Sequence, residues 1–278
     1  MIQKSYENNE YGKLFLIPTP IGNLKDITLR ALDTFREVDI IYAEDTRETI
    51  KLLKQFNIIK KVQSCHKYSE MMHKDKIISI LKSGKNVGYV TDRGTPLISD
   101  PGNVIVKACI DENISVVSLP GPNALLPAIN MSGLSNERFL FYGFLNSKKS
   151  LAKKELIDLK NLKYSIIFYE SPFRLKDTLE LLLEIFGNRN ASIVREISKI
   201  YEEINRDTIK NLITYSQNIK GEIVLVVEGN SEKNENEYNY KELVNNLIEE
   251  GYTKRDAIKE ISKKYNVSKN MIYNIVKE

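Results

Sequence analysis

Four short apolar runs of this chain end in turns rich in glycine and proline, residues that let a backbone approach a ligand closely. The turns read Pro18-Thr19-Pro20-Ile21-Gly22-Asn23, Thr91-Asp92-Arg93-Gly94-Thr95-Pro96, Pro120-Gly121-Pro122-Asn123-Ala124 and Ser171-Pro172-Phe173-Arg174. One such turn is typical of an ordinary strand–helix connection, but several at the carboxyl ends of strands predict a ligand cleft. Neither G-x-G-x-x-G nor G-x-x-x-x-G-K-[ST] occurs, which disfavours a dinucleotide Rossmann site and a P-loop.

The elements that must position these turns alternate between strand-like and helix-like spacing. Apolar, β-branched runs predict strands at 14–19, 39–44, 87–91 and 115–119. Helix-period spacing predicts helices at 27–37, 46–55, 70–83 and 102–112. Because the strands are nearly continuous in apolar residues, we expect a mostly parallel sheet covered on both faces.

A second sheet is expected after about residue 133, where the pattern changes. Strands are predicted at 139–144, 164–170, 192–197 and 222–228, and helices at about 150–161, 173–186 and 208–217. The fold class is therefore α/β, with two α/β domains and a ligand cleft between them. The expected organisation is a leader (1–12), two α/β domains (13–130 and 131–230), a polar linker (231–239) and a helical module (240–278).

The C-terminal module is predicted to resemble a helix-turn-helix. Thr253 followed by Asp256 resembles a capping box at the start of one helix, Tyr265-Asn266-Val267 turns the chain, and Ser268 caps a last helix. For the module as a whole, a purely structural role as a cap of the protein and a nucleic-acid-binding role are equal alternatives. Residues 251–278 hold seven cations and three anions, which accounts for the whole net charge of +4, and lysines also cluster at 148–163. Such basic faces suit a polyanion or are simply solvated.

Composition excludes several classes of protein. The two cysteines, Cys65 and Cys109, are far apart and suit a reducing compartment without a disulfide framework. Only two histidines occur, so no metal site is expected. The first residues contain no apolar stretch of the kind found in a secretory signal, and no run approaches the roughly 18 apolar residues of a membrane span. We therefore expect a cytoplasmic protein without a membrane partner.

Seven ordered segments give the chain a specific resemblance. They are PTPIGNLKDITLRAL (18–32), AEDTR (43–47), GTPLISDPG (94–102), LPGPNAL (119–125), RFLFYGF (138–144), FYESPFR (168–174) and KGEIVLVVEG (220–229). Together they resemble the tetrapyrrole-methylase superfamily, and within it the ribosomal RNA small subunit methyltransferase I branch. One departure is Arg93, which stands where the family usually has alanine in Ser-Asp-Ala-Gly-Thr-Pro.

The resemblance implies an enzyme that transfers a methyl group from S-adenosylmethionine to the ribose 2′-hydroxyl of a cytidine in the decoding region of 16S rRNA. It also implies a homodimer whose partner is small-subunit rRNA or the ribosomal subunit. The cofactor is expected in the cleft between the two domains. The residues expected to bind it are Pro20, Gly22, Asp92, Gly94, Thr95, Pro96, Pro120, Gly121, Asn123, Ala124, Phe168 and Tyr169.

Methyl transfer to a weakly acidic hydroxyl needs a base or cation beside the cleft. Our hypothesis is that Glu44 or Asp45 orients or deprotonates the hydroxyl and that Arg47 holds a phosphate through its planar fork. A structural ion pair of Asp45 with Arg47 or Arg30 is the alternative. Glu170 is equally suited to catalysis and to a structural pair with Arg174.

Two other functions remain open from the sequence. A methyltransferase of the same superfamily that acts on a tetrapyrrole, another small molecule or a protein would share the fold and the cofactor. A nucleic-acid-binding regulator without catalysis would use only the helical module. Intact cofactor turns disfavour the regulator, as does the balance of nine cations and nine anions over 231–278.

Overall fold

The computed structural model describes residues 2–6, 10–66, 69–217, 219–231, 240–265 and 268–277. The chain forms two compact units, residues 1–230 and 231–278. The larger unit holds two five-stranded sheets and the smaller unit is helical. The predicted α/β fold class with a helical C-terminal region is therefore confirmed. The predicted linker, apart from residue 231, lies outside the described residues, as do Asn266 and Val267 of the predicted turn.

The first sheet is entirely parallel, in the order β3-β2-β4-β1-β5. Its strands are β1 (Leu14–Leu16), β2 (Ile40–Ala43), β3 (Val62–Ser64), β4 (Val87–Val90) and β5 (Val116–Ser118). The helices between them are α1 (Leu29–Glu37), α2 (Thr46–Gln55), α3 (Glu70–Lys82) and α4 (Asn103–Asp111). The sequence pattern missed β3, since this three-residue edge strand is short and contains two polar residues among its three.

Both faces of the first sheet are buried, as its apolar strands predicted. Tyr42 and Tyr89 pack on one face under α3 and α4. Ile41 and Val90 pack on the other face with Phe35 of α1. Successive side chains of a strand point to opposite faces, so a strand buried on both faces contains apolar residues at every position.

The second sheet is mixed, in the order β6-β7-β10-β8-β9. Only β6 and β7 are parallel, and the other neighbours are antiparallel. The strands are β6 (Phe139–Phe144), β7 (Ser165–Glu170), β8 (Asn190–Arg195), β9 (Glu203–Thr208) and β10 (Ile223–Val227). The sequence pattern missed β9, because this edge strand reads Glu-Ile-Asn-Arg-Asp-Thr and is largely polar.

Four helices accompany the second sheet, namely α5 (Leu125–Ser132), α6 (Lys149–Leu159), α7 (Leu175–Phe186) and α8 (Ile209–Tyr215). Helix α5 was not predicted. It contains Pro127 in its first turn, where proline is tolerated because the N–H it removes has no partner inside the helix. The predicted boundary at 130/131 falls inside α5, whose buried Ala128 and Ile129 pack against the second sheet.

The smaller unit contains α9 (Tyr240–Glu249), α10 (Lys254–Tyr265) and α11 (Lys269–Lys277). Its core includes Val244 of α9, Ile258 and Ile261 of α10, and Ile272 of α11. Thr253 accepts a hydrogen bond from the Asp256 amide (3.2 Å) and donates one to the Asp256 carboxylate (2.6 Å), as the capping pattern predicted. Among the described residues, no helix is both long and apolar enough to cross a bilayer.

A buried carboxylate caps α4. The two oxygens of Glu70, a side chain only 4% exposed, accept hydrogen bonds from the amides of Gly102 (3.0 Å) and Val104 (3.2 Å). These amides lie at the N-terminus of α4, where backbone N–H groups have no partner inside the helix. Glu70 of α3 therefore holds the end of the turn that follows β4.

Replacing Glu70 with alanine should lower the free energy of unfolding by about 2–4 kcal/mol, since two buried amides lose their acceptor. Chemical denaturation checks this. The matched control is Glu48→Ala, which removes an exposed pair with Lys51 (2.7 Å) and should cost about 0.5 kcal/mol or less. Equal midpoints for wild type and Glu70→Ala would show that the amides find water or another acceptor.

Candidate active site

A cavity of about 440 Å³ lies in the larger unit, between the turns of the first sheet and one edge of the second. The turn after β4 contributes residues between Arg93 and Asp100, and the turn after β5 contributes Asn123 and Ala124. The second sheet contributes Tyr169 of β7 and the start of β10. Small-molecule sites are typically concave, largely apolar and about 300–1,000 Å³ in volume. The cavity therefore fits the cleft that the turns predicted.

Hydrogen bonds tie the three turns of the first sheet to one another. Thr19 and Gly94 exchange backbone hydrogen bonds of 2.9 and 3.0 Å. The Thr95 hydroxyl donates to the Pro122 carbonyl at 2.9 Å. The turns after β1, β4 and β5 consequently form one connected wall, and this wall depends on β1 lying between β4 and β5 in the sheet.

The backbone beside the cavity adopts several conformations that L-residues rarely occupy. Leu97 and Ser99 have φ values of 73° and 66°, and Glu196 and Ser198 on the opposite side have values of 53° and 70°. Such residues cost roughly 1–3 kcal/mol each and concentrate at functional sites. Gly94 has a φ of 80°, a conformation that glycine adopts without this cost because it has no Cβ.

Five residues of the predicted cofactor set line the cavity: Gly94, Thr95, Asn123, Ala124 and Tyr169. Gly121 lines a neighbouring, more open groove of about 710 Å³ that also contains Asn123. The six others line neither space: Pro20, Gly22, Asp92, Pro96, Pro120 and Phe168.

Two of those six have a clear alternative role. Phe168 is fully buried in the core under α6 and α7, because its side chain points to the opposite face of β7 from that of Tyr169. Gly22 lies against Lys199, where an added Cβ would come within 2.4 Å of Cγ of that lysine. This glycine allows the two parts of the unit to pack closely and does not contact the cavity.

Aromatic rings form the second-sheet side of the cavity. Tyr169 packs edge-on against Phe141 and Phe144, with centroid distances of 4.9 and 5.6 Å. Burial raises the pKa of Tyr169 to about 12, so the ring keeps its proton at neutral pH. Ile21, which lies in the predicted turn after β1, lines the cavity. Sequence reasoning missed Phe144 and the other apolar lining residues Ile98, Ile197, Ile223 and Val224.

Asp45 is held by Arg47, as the ion-pair alternative proposed. The guanidinium donates to both carboxylate oxygens, at 3.1 Å from Nε and 2.7 Å from Nη2. Asp45 also caps α2 by accepting from the Arg47 amide at 2.8 Å. The hydrogen bonds from Arg47 lower the pKa of Asp45 to about 2. Asp45 therefore stays ionised and is a weak proton acceptor.

Glu44 differs from Asp45 in the direction of its pKa shift, and like Asp45 and Arg47 it is not among the residues that line the cavity. Burial, reinforced by the neighbouring Asp92 carboxylate, raises the pKa of Glu44 above its ordinary value. A hydrogen bond from the Asp45 amide to Oδ1 of Asp92 (2.9 Å) joins the end of β2 to the turn after β4. The first sheet thus brings the charged ends of β2 and β4 together.

Asp100 is a cavity-lining residue that sequence reasoning missed. Burial together with the charge of Glu44 raises the pKa of Asp100 to about 6. Carboxyl groups with raised pKa values in a cavity are candidates for proton transfer or cation binding. Its signal was present in the segment GTPLISDPG, where Ser-Asp-Pro-Gly immediately precedes α4.

Glu170 and Arg93 take structural positions. The Glu170 carboxylate accepts hydrogen bonds from the Thr178 hydroxyl (2.6 Å) and the Ser171 amide (2.8 Å), and it lies 3.6 Å from Nε of Arg174. Arg93 forms an ion pair with Glu222, which also binds Lys199 at 3.0 Å. The ion pair between Arg93 and Glu222 connects the turn after β4 to the start of β10 at the cavity.

Among the described residues, no group of three or more histidine, cysteine, aspartate or glutamate side chains is arranged to hold a metal ion. The cavity is lined by the carboxyl groups of Asp100, Glu170 and Glu222, by the guanidinium of Arg93 and by an apolar wall. That combination suits a ligand with an apolar ring and a positive charge, and an acceptor that must lose a proton.

Known proteins resemble the chain in sequence and in fold. The family model described as Tetrapyrrole (Corrin/Porphyrin) Methylases matches residues 13–213. A Bacillus subtilis (strain 168) protein named ribosomal RNA small subunit methyltransferase I is 46% identical over 275 residues, covering 96% of this chain and 94% of its own.

Two solved structures share the fold at low sequence identity. The methyltransferase CobJ matches with a TM-score of 0.61 at 16% identity, over 79% of this chain and 95% of its own. Uroporphyrin-III C-methyl transferase from Thermus thermophilus, complexed with S-adenyl homocysteine, matches with a TM-score of 0.58 at 16% identity, over 78% and 97%. The chain therefore belongs to the tetrapyrrole methylase family and, within it, to the ribosomal RNA small subunit methyltransferase I branch.

Proposed function

We propose that the chain transfers a methyl group from S-adenosylmethionine to the ribose 2′-hydroxyl of a cytidine in the decoding region of 16S rRNA. The observation that carries this proposal is the near-full-length similarity to proteins named ribosomal RNA small subunit methyltransferase I, at 46% identity for the Bacillus subtilis protein. The names of these relatives favour an RNA acceptor over a tetrapyrrole. Ribosomal subunits are cytoplasmic, so the reaction takes place in the cytoplasm.

The cavity fits S-adenosylmethionine in size and in chemistry. Its volume of about 440 Å³ lies within the range of small-molecule sites. Apolar side chains such as Ile21, Ile98 and Val224 suit an adenine ring, and the Asp100 carboxylate suits a positively charged sulfonium. The uroporphyrin-III C-methyl transferase that shares this fold was solved in complex with S-adenyl homocysteine, the demethylated form of the same cofactor, which supports this assignment.

When bound, S-adenosylmethionine supplies a methyl group already activated on sulfur. The chain's own residues then have to orient the reactants and exclude water. Tyr169 and Phe144 form a rigid aromatic wall, and the turn that contains Gly94 brings backbone close to the ligand. Hydrogen bonds of Thr19 and Thr95 fix that turn. The wall formed by the turns after β1, β4 and β5 is therefore preorganised before any ligand enters.

Glu44 takes the proton of the acceptor hydroxyl. Its raised pKa makes it a better proton acceptor than Asp45, whose carboxylate is engaged by Arg47. Asp45 acts as a positioning residue that holds Arg47 and caps α2. The Arg47 side chain is 84% exposed, so its remaining N–H groups are accessible to a phosphate of the RNA.

The enzyme works as a homodimer. The family resemblance supports this state, and so do exposed apolar side chains on the loop between β8 and β9, where Ile200 and Tyr201 are 90% and 70% exposed. Adjacent exposed apolar side chains are characteristic of interaction surfaces.

Sedimentation equilibrium of the purified chain should therefore give a mass near twice its 32.0 kDa. The apparent mass should stay constant on dilution through the micromolar range. A single species of 32.0 kDa at every concentration would contradict the dimer without affecting the proposed reaction.

Methyl transfer is tested with labelled S-adenosylmethionine and small ribosomal subunits purified from cells that lack the modification. We expect label on a single cytidine ribose of the decoding region, located by nuclease mapping. A variant that carries Glu44→Gln serves as the control for contaminating methyltransferases. Cofactor binding with no label on any RNA would contradict the acceptor, and a porphyrinogen or protein acceptor would then be the better explanation.

Glu44→Gln should slow single-turnover methyl transfer by about 10²- to 10⁴-fold, the usual contribution of a general base. Because a base must be deprotonated, the wild-type rate should rise with pH through the pKa of Glu44, which lies above the ordinary glutamate value. The variant should lack this rise. Asp45→Asn should cause a smaller loss and retain the pH dependence.

Cofactor affinity, measured by calorimetry, should stay close to the wild-type value in both variants and reports correct folding. Glu48→Gln, on the exposed face of α2, is the matched control. Wild-type single-turnover rates in both Glu44→Gln and Asp45→Asn would eliminate this assignment of the base.

A further inference from the structure

Helix α10 carries a row of three cations on one exposed face. Arg255, Lys259 and Lys263 are spaced four residues apart and are all exposed. Residues at this spacing follow one another along one face, about one helical pitch of 5.4 Å apart. The opposite face of the helix holds the buried residues Ala257, Ile258 and Ile261. The row is therefore fixed in place by the core of the smaller unit.

The row has no neutralising partner among the residues that the structure describes. None of the three side chains forms an ion pair or a hydrogen bond there. Like charges four residues apart destabilise a helix. Helix α10 also contains two acids. Asp256 is engaged in the cap with Thr253, and the exposed Glu260 forms no ion pair with the row among the described residues. Within the described part of the chain, the row is thus a line of exposed positive charge without a paired carboxylate.

The charges of the smaller unit are separated by helix. Helix α10 contains five cations and two anions, and α11 contains two cations and no anion. Helix α11 also exposes Lys269, Asn270, Tyr273 and Asn274, which recur on one side of the helix. Amide donors, a cation and an aromatic ring without a carboxylate are typical of surfaces that contact RNA.

The lysine-rich helix α6 provides a contrast. There Lys153 forms an ion pair with Glu184, and Lys149 also contributes to lowering the pKa of that carboxyl. Part of the positive charge of α6 is therefore matched by α7, whereas the row on α10 is not matched.

We propose that the row formed by Arg255, Lys259 and Lys263 binds the phosphate backbone of the RNA substrate. The inference rests on the proposed function for the identity of the RNA. The row supplies affinity without reading sequence, since phosphate contacts position a protein and carry no base information. Regularly spaced cations on a rigid helix suit the regularly spaced charges of a nucleic acid strand.

The test compares the full chain with the triple variant Arg255→Gln, Lys259→Gln, Lys263→Gln, which keeps good helix formers at all three positions. Binding to purified small ribosomal subunits is measured as a function of salt concentration, and KM is measured for methyl transfer to the same subunits. Each phosphate contact contributes about 0.7–0.9 to the slope of log affinity against log salt. We expect the slope to fall by about 2 to 3 and KM to rise.

Two control proteins make the result specific. Lys76→Gln, Lys85→Gln, Lys107→Gln removes three exposed cations of the larger unit and should retain the wild-type slope. Arg255→Lys, Lys259→Arg, Lys263→Arg keeps all three charges of the row and should restore the slope lost in the glutamine variant. Circular dichroism verifies that each variant is folded.

The outcomes separate this inference from the proposed function. If the wild type methylates RNA and the glutamine variant has the same slope and KM, the row does not bind RNA. If the wild type neither binds nor methylates RNA, both the proposed function and this inference are overturned. If both triple-glutamine variants lose slope equally, the affinity depends on overall charge and the inference is again wrong.

Discussion

The site of this protein depends on one feature of the first sheet, the placement of β1 between β4 and β5 in an all-parallel arrangement. In a parallel sheet the carboxyl ends of all strands meet at one edge, so turns far apart in sequence become neighbours. The Thr19–Gly94 bridge and the Thr95–Pro122 hydrogen bond are possible only in this strand order. They turn three separate loops into one wall, and the second sheet closes the cavity from the other side.

The same edge gathers negative charge that a purely structural sheet would avoid. Glu44, Asp92 and Asp100 follow β2 and β4, which are neighbours in the sheet, and burial, followed by the repulsion of nearby carboxylates, raises the pKa values of Glu44 and Asp100. Like charges in a partly buried site are unfavourable for folding. The unusual φ values of Leu97 and Ser99 add further strain in the same turn. Glu70 offsets part of this cost, because its buried carboxylate secures the backbone where the turn enters α4. A cationic cofactor would find the negative charge already in place.

The carboxyl groups near the cavity and the cations of α10 differ in their exposure to solvent. Glu44 and Asp100 are partly buried, and burial raises their pKa values. The cations of α10 have to be exposed to reach an extended polyanion, and each of the three is exposed. Residues 231–278 are neutral in total, with nine cations and nine anions. Because these charges are distributed unevenly among the helices, α10 is nevertheless positively charged.

The sequence alone determined the strands of the first sheet with continuous apolar runs, the glycine- and proline-rich turns and the family, because these depend on local residue pattern and ordered motifs. It did not reveal β3 or β9, since edge strands need little apolar surface. It also did not reveal α5, whose proline obscured the start of the helix.

Among the residues predicted to bind the cofactor, Gly94, Thr95, Asn123, Ala124 and Tyr169 line the cavity, while Phe168 belongs to the core. Only the tertiary structure distinguished Tyr169 from Phe168, because the face to which a strand residue points depends on what packs there. Only the tertiary structure showed that burial raises the pKa values of Glu44 and Asp100 while Arg47 lowers that of Asp45, because a carboxyl's pKa is decided by burial and by neighbouring charges.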